Sequence, residues 1–243
     1  MHVGRVGWPP FRKIDRAIAA AGYVVNVTAV HPTAAISHRA EQLKRAVLQF
    51  KKSCEDQPVV LIAHSLGGLD ARYMLSQLGM ARHVRALATI STPHRGSPWA
   101  DWCVENIDKR LRIIQAAKRL GLDLQAVLDL TTQSCRRFNE EILDVAGVEY
   151  YSVSAAQPSS KMPKFSLVSW KTIDRVDGPN DGLVSVKSAR WGRHLGTWPA
   201  DHWHTVNRRL SREAIRVGDI SPRYLAVLAA VAPLGKKQGG AHV

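Results

Sequence analysis

No stretch of the chain approaches the roughly 18 to 20 consecutive apolar residues that a membrane-spanning helix requires. The opening Met1 to Pro10 also has no apolar core of a secretory signal. The expectation is a cytoplasmic protein with no spanning helix and no export signal. Cysteine is scarce: Cys54, Cys103 and Cys135 are three in number and widely spaced, which suits neither a disulfide framework nor a zinc cluster. A reducing interior is the mild inference, and a single Cys103–Cys135 bond stays open. Acidic residues are few as well. Twenty Asp and Glu face 34 Lys and Arg, a net charge of +14, so the surface favours anionic partners such as nucleic acid or anionic lipid headgroups. No nucleic-acid module surrounds the basic residues, and the cluster Arg208, Arg209, Arg212 and Arg216 reads as a solvated helix face. Internal repeats and low-complexity tracts are missing.

What is present suits one folded domain over residues 1–243, because 243 residues with 45% hydrophobic content form a single packed core without needing to split. Arg12 to Ala21 carries apolar residues at helical spacing and stops at Gly22. Tyr23 to Val30 reads as a strand, and Ser37 to about Cys54 as a second helix with Ala40, Leu43, Val47 and Phe50 on one face. Val59 to Ala63 is an uninterrupted apolar run, the pattern of a parallel strand covered on both faces. A helix ending at Gly79 and a second buried run, Ala86 to Ile90, follow. This alternation predicts an α/β fold with a mostly parallel sheet flanked by helices. From Trp99 to Val145 helical patterns succeed one another without a strand, which reads as a helical insertion, either packing helices or a lid. Strand character returns at Val148 to Ala155. Asp177 to Gly182 is a dense turn signal and predicts an exposed connection, and Ser221 to Leu234 reads as a closing helix with a frayed tail after it.

The chemistry concentrates where Val59 to Ala63 runs into His64-Ser65-Leu66-Gly67-Gly68. A serine on a sharp strand-to-helix turn needs small residues two positions to either side so that neighbouring backbone can approach. Ala63 and Gly67 fill those places. Such a turn aims Ser65 Oγ over the sheet, and the backbone N–H of Leu66, at a helix N-terminus, faces a developing oxyanion. A serine hydroxyl needs a base, and the base needs an acid to fix its tautomer. In the order Ser, acid, His, Asp181 and His202 qualify. Asp174 and Asp177 are rival acids placed before Asn180-Asp181-Gly182, Asp201 is too close in sequence to His202 to reach its Nδ1 easily, and His194 and His204 are rival bases that spacing leaves open. His202 with His204 lacks a third metal ligand. His94 is expected to brace a loop by hydrogen bonds. Trp99, Trp102, Trp170, Trp191, Trp198 and Trp203 suit either an acyl groove or the core.

Several pieces run in order between residues 12 and 207: Ala63-His64-Ser65-Leu66-Gly67-Gly68-Leu69-Asp70-Ala71-Arg72-Tyr73, Ser91-Thr92-Pro93-His94-Arg95-Gly96-Ser97, Leu130-Thr131-Thr132 with Arg137-Phe138-Asn139, Tyr150-Tyr151-Ser152-Val153-Ser154, Asn180-Asp181-Gly182-Leu183-Val184, and Asp201-His202-Trp203-His204-Thr205-Val206-Asn207. In them the chain resembles the triacylglycerol lipase branch of the α/β-hydrolase superfamily, the bacterial and fungal true lipases. The resemblance implies an α/β-hydrolase fold, with a helical lid over about 99–147 covering an acyl-chain groove. It implies Ser65 as nucleophile, Asp181 as acid and His202 as base, acting on acylglycerols or other lipid esters without a cofactor. The +14 charge and the basic, apolar-interleaved insertion add an expected peripheral contact with an anionic membrane or lipid droplet surface, and the missing module an expectation of no nucleic acid. A thioesterase, a phospholipase or a catalytically impaired lipid-binding relative would share much of this pattern.

Two departures qualify it. Bacterial members often hold a structural calcium just after the catalytic histidine, where this chain has His204 and Arg208; neither is a hard oxygen ligand, so no metal is expected. The family's first strand, ending in His-Gly and followed by a second oxyanion donor, has no counterpart: Met1 falls in the loop after it, and His2-Val3-Gly4-Arg5 is a poor substitute.

Overall fold

The computed structural model describes residues 11, 13–31, 34–52, 59–106 and 124–232. Among these residues, four parallel strands form one sheet in the order β1-β2-β3-β4: β1 Val59–His64, β2 Val84–Ile90, β3 Glu149–Ala155 and β4 Arg193–Trp198. Parallel neighbours require crossovers, and the helices supply them. Helix α3, Gly67–Gln77, links β1 to β2; α4 Pro98–Glu105, α5 Leu124–Asp129 and α6 Thr132–Glu141 lie between β2 and β3; α7 Leu167–Asp177 and the short α8 Val186–Ala189 precede β4. Helices α1 Ile14–Ala20 and α2 Ile36–Lys51 come before the sheet, and α9 Arg212–Val217 and α10 Ser221–Val231 after it.

The two-residue period of a strand explains the layering. Ala86, Ala88 and Ile90 of β2 join Tyr151, Val153 and Trp198 against Ile14, Ile18, Tyr224 and Val227 of α1 and α10. Leu87 of the same strand points the other way, onto Ala40, Val47, Ala71, Met74 and Leu75 of α2 and α3. A third apolar cluster gathers Leu66, Leu69, Trp99, Cys103, Val127, Leu130, Cys135, Leu183, Val184 and Trp203, the residues that follow the C-terminal ends of the strands. Ligands of open α/β sheets bind at those ends.

Several expectations change. Tyr23–Val30 is not a strand: its backbone has no ladder partner among the described residues, and a cavity of about 510 Å³ lined by Tyr23–Thr28 and Val59–Ile62 separates it from β1. Helix α2 ends at Lys51, and Cys54 lies outside the described residues. Cys103 and Cys135 are free, buried thiols, so the bond between them is not made. Only Arg212 and Arg216 of the basic cluster sit on a helix; Arg208 and Arg209 precede α9. Within the expected insertion, α4, α5 and α6 are helical, while 107–123 lie outside the described residues, as do His2 to Arg5 and 233–243. Strand β4 has no expectation behind it. No helix among the described residues is long and apolar enough to cross a membrane.

Candidate active site

Ser65 sits between the last residue of β1 and the first of α3, with φ of 54°. A non-glycine residue in the left-handed region carries strain and needs surrounding support. That support is visible: the Ser65 N–H donates to Ile90 O at 3.0 Å, and Thr92 Oγ1 donates to Ser65 O at 2.8 Å. Close approach falls on Gly68 rather than Gly67. A Cβ at Gly68 would lie 2.2 Å from Thr92 Oγ1, whereas one at Gly67 meets nothing within 4 Å. Leu66 is buried and precedes the first residue of α3, where backbone N–H groups have no intrahelical acceptor.

Asp181 and His202 converge on this turn. His202 Nε2 lies 3.0 Å from Ser65 Oγ, and His202 Nδ1 lies 2.8 Å from Asp181 Oδ2. The other carboxylate oxygen, Oδ1, accepts the N–H groups of Leu183 and Val184 at 3.0 and 2.8 Å, and His202 N–H donates to Asp181 O at 2.9 Å. Each oxygen of the Asp181 carboxylate is therefore engaged, and its orientation toward His202 Nδ1 is fixed. The turn holding Asp181 was expected to be exposed; instead residues 180–185 are buried. The reason is internal satisfaction of its polar groups, since Asn180 Oδ1 accepts from Gly182 N–H and Asn180 Nδ2 donates to Trp170 O and Gly178 O.

The rivals are engaged elsewhere. Asp177 accepts from Ser185 Oγ and Lys187 Nζ. Asp174 is exposed on α7. His194 is on β4 against Ser152 and Ser154. His204 Nε2 lies 2.9 Å from Gly218 O. Asp201 accepts from Trp203 N–H, His204 N–H, Ser211 Oγ and Gln157 Nε2, with its carboxyl raised above the usual range chiefly by burial. Arg208 is exposed, and no group of three or more potential metal ligands occurs among the described residues.

A narrow cavity opens beside Ser65, walled by Pro93, Trp99, Ala100, Val127, Leu130, Leu183 and Val184. Ser97 also lines it, and its volume of about 10 Å³ is roughly that of one water, so it marks apolar surroundings at Ser65 and not a preformed acyl groove. Trp99 stacks on Trp102, and Trp203 meets His202 edge-on and also Phe165. Trp198 packs in the core against Tyr224, while Trp170 bonds Gln157 O. His94 braces its loop as expected: it is fully buried, its carbonyl accepts from Asn139 Nδ2 at 2.8 Å, and its ring contacts Arg72 and Thr89.

Two residues beside the site were not singled out by sequence. His64 ends β1, and its ring lies 4.6 Å from that of His202. Thr205 sits three residues after His202 and bonds both its carbonyl and the His64 ring. The available signals were adjacency to Ser65 for the one and a three-residue spacing in a turn for the other.

Comparisons with known proteins bear on the fold and the family. The family model described as "PGAP1-like alpha/beta domain" matches residues 25–160. Triacylglycerol lipase 2 of Saccharomyces cerevisiae is 32% identical over 205 residues, covering 80% of this chain and 61% of that protein, so the chain spans about three fifths of that relative. A triacylglycerol lipase of Pseudomonas fragi is 24% identical, covering 86% of this chain and 85% of its own. Among solved structures, the mature lipase of Bacillus licheniformis superposes with a TM-score of 0.68 at 21% identity, covering 89% of this chain and 83% of that one. The Staphylococcus hyicus lipase gives 0.66 at 17%, covering 89% and 87%. The chain belongs to the PGAP1-like alpha/beta domain family and has the α/β-hydrolase fold.

Proposed function

We propose that this protein is a carboxylic ester hydrolase acting on acylglycerols or related lipid esters. One observation carries the reading: Asp181, His202 and Ser65 form a continuous hydrogen-bonded run ending on a serine held at positive φ. In acylation, Ser65 Oγ attacks the ester carbonyl while His202 Nε2 takes its proton; the carbonyl oxygen, now anionic, turns toward the Leu66 N–H, and His202 returns the proton to the leaving alcohol. Water then repeats the cycle on the acyl-enzyme, releasing the fatty acid and restoring the Ser65 hydroxyl. Asp181 holds the tautomer in which Nδ1 carries the proton and Nε2 accepts. The side chains of Trp99, Val127, Leu130 and Leu183 make the surroundings of Ser65 apolar, and the lipases among its relatives support a lipid ester as substrate.

The insertion over about 99–147 acts in this reading as a lid that meets an anionic lipid surface, because its cations, including Lys109, Arg110 and Arg112, alternate with apolar residues. Long-chain ester hydrolysis should then be faster on anionic than on zwitterionic vesicles, and the excess should fade with added salt. The central test is Ser65→Ala. It should abolish hydrolysis of p-nitrophenyl butyrate with the fold intact, and a phosphonate ester should label Ser65 alone; wild-type turnover in the variant would overturn the reading. A parallel panel of acylglycerols, acyl-CoA thioesters and phospholipids assigns the preferred class, and activity on none of them marks a lipid-binding protein instead.

A further inference from the structure

We propose that His64 and Thr205 form a positioning pair that sets the height of the His202 ring over Ser65, an inference that rests on the hydrolase reading above. Thr205 is fixed from the core side. Its N–H donates to Asp201 O at 3.1 Å, and its carbonyl accepts from Tyr224 Oη at 2.6 Å, with Tyr224 fully buried on α10. The side chain of Thr205 then reaches the site in two directions. Its hydroxyl donates to His202 O, which uses the only proton that hydroxyl carries. The same oxygen lies 2.9 Å from His64 Nε2. With the hydroxyl proton committed, this contact requires His64 Nε2 to carry a proton and donate. Burial foremost, then the neighbouring His202 and Arg208, holds the His64 imidazole well below its ordinary pKa, which keeps it uncharged.

The consequence is a closed mechanical loop. His64 is bonded in the chain to Ser65; its side chain grips Thr205; Thr205 grips the His202 backbone; and His202 Nε2 returns to Ser65 Oγ at 3.0 Å. His64 also lies against the His202 ring with centroids 4.6 Å apart and planes at 44°, so it limits ring rotation about the axis that Asp181 leaves free. Since His64 is neutral, it adds no like charge beside His202 when that ring accepts the serine proton. Proton transfer is sensitive to the donor–acceptor distance and orientation, so loss of this tether slows turnover more than it weakens substrate binding.

The test compares Thr205→Val, which removes the hydroxyl at constant shape, with Thr205→Ser, which keeps it, and with His64→Phe, which keeps a ring and removes the donor. Steady-state kinetics on p-nitrophenyl butyrate should show kcat lowered about tenfold in Thr205→Val and His64→Phe with KM within about twofold, and near-wild-type kcat in Thr205→Ser. The double variant should lose no more than the worse single one, because both remove the same hydrogen bond. Wild-type kcat in Thr205→Val, equal loss in Thr205→Ser, or fully additive losses overturn the positioning pair. Ser65→Ala is run alongside: if it retains turnover the hydrolase reading fails, whereas an inactive Ser65→Ala with unimpaired Thr205→Val refutes only the positioning pair. Should His64→Phe fail to fold, the Thr205 valine and serine variants decide alone.

Discussion

Thr92 and Gly68 share one volume. The Thr92 side chain donates to Ser65 O at 2.8 Å and occupies the space that a Cβ at Gly68 would enter, 2.2 Å from Oγ1. The strained serine turn is thus held by a residue from the loop after the neighbouring strand, and that residue fits only because position 68 has no side chain.

Gly68→Ala should therefore displace Thr92, cost about 1 to 3 kcal/mol through overpacking, and lower esterase activity with it. Gly67→Ala, which meets open space and lies in a helix, should leave the melting temperature unchanged or slightly raised. Adding Thr92→Ala to Gly68→Ala should recover part of the lost stability, measured by urea unfolding. A Gly67→Ala variant less stable than Gly68→Ala would contradict this packing.

The geometry also separates the proposed acid and base, Asp181 and His202, from the neighbours that spacing left as alternatives. His202→Ala and Asp181→Asn should each reduce turnover by at least about a hundredfold. His204→Ala and Asp177→Asn should change it little, because those side chains face Gly218 O and the Ser185–Lys187 pair. Stopped assays on p-nitrophenyl butyrate with melting temperatures as controls distinguish the two sets. An inactive His204→Ala beside an active His202→Ala would reverse the assignment.

The legible parts of this fold are those whose signal is local. Val59–Ala63 is apolar without interruption and runs straight into a small-x-Ser-x-Gly turn, so both β1 and the serine are readable from one short segment. Strand β4 is not: Arg193-His194-Leu195-Gly196-Thr197-Trp198 contains one aliphatic residue and a glycine with φ of 131°, and its place is set by pairing with β3. Tyr23–Val30 shows the reverse failure. Its composition is strand-like, yet a strand exists only with a partner, and the space between it and β1 is a cavity. The Asp181 turn reads as exposed because Asn, Asp and Gly usually are, whereas here their side chains satisfy the backbone and permit burial. His64 and Thr205 meet only through tertiary contact, 141 residues apart.

Arg72 offers a stability test of how α3 is tied to the helices after β2. Its guanidinium is buried, donates to Asn139 Oδ1 at 2.7 Å and Ile142 O at 2.9 Å, and lies 3.7 Å above the Trp191 ring. Burial lowers its pKa to about 10, so it stays charged at neutral pH. Lysine has neither the planar fork nor the stacking face. Arg72→Lys should cost about 2 to 4 kcal/mol and raise amide exchange in Thr132–Glu141. Unchanged exchange there would show that α6 does not depend on Arg72.

The pH dependence of stability follows from buried groups with opposed shifts. His94 is enclosed, and burial first, then Arg72 and Arg95, holds it well below its ordinary pKa of 6.5. Arg72 Nη1 lies 3.5 Å from its Nδ1 and can only donate, so Nδ1 accepts and Nε2 faces Thr89 Oγ1 at 3.0 Å. Below pH 6.5 the unfolded chain protonates this imidazole and the folded chain does not, so the stability present above pH 6.5 is lost as pH falls, by up to about 1.4 kcal/mol per pH unit. His64 adds a loss of the same sign. Asp70 acts oppositely: burial, only partly offset by Arg39, raises its carboxyl to about 6, so the folded state binds its proton first, and Asp70's contribution is full below about pH 3.8 and disappears as pH rises through 6. The acid loss should therefore begin near pH 6.5 and be partly offset below pH 6. In urea titrations across this range, His94→Gln should flatten the decline and Asp70→Asn should steepen it below pH 6. If the slope in His94→Gln equals that of the wild type, His94 is protonated in the folded protein and the hydrogen-bond directions assigned to it are wrong.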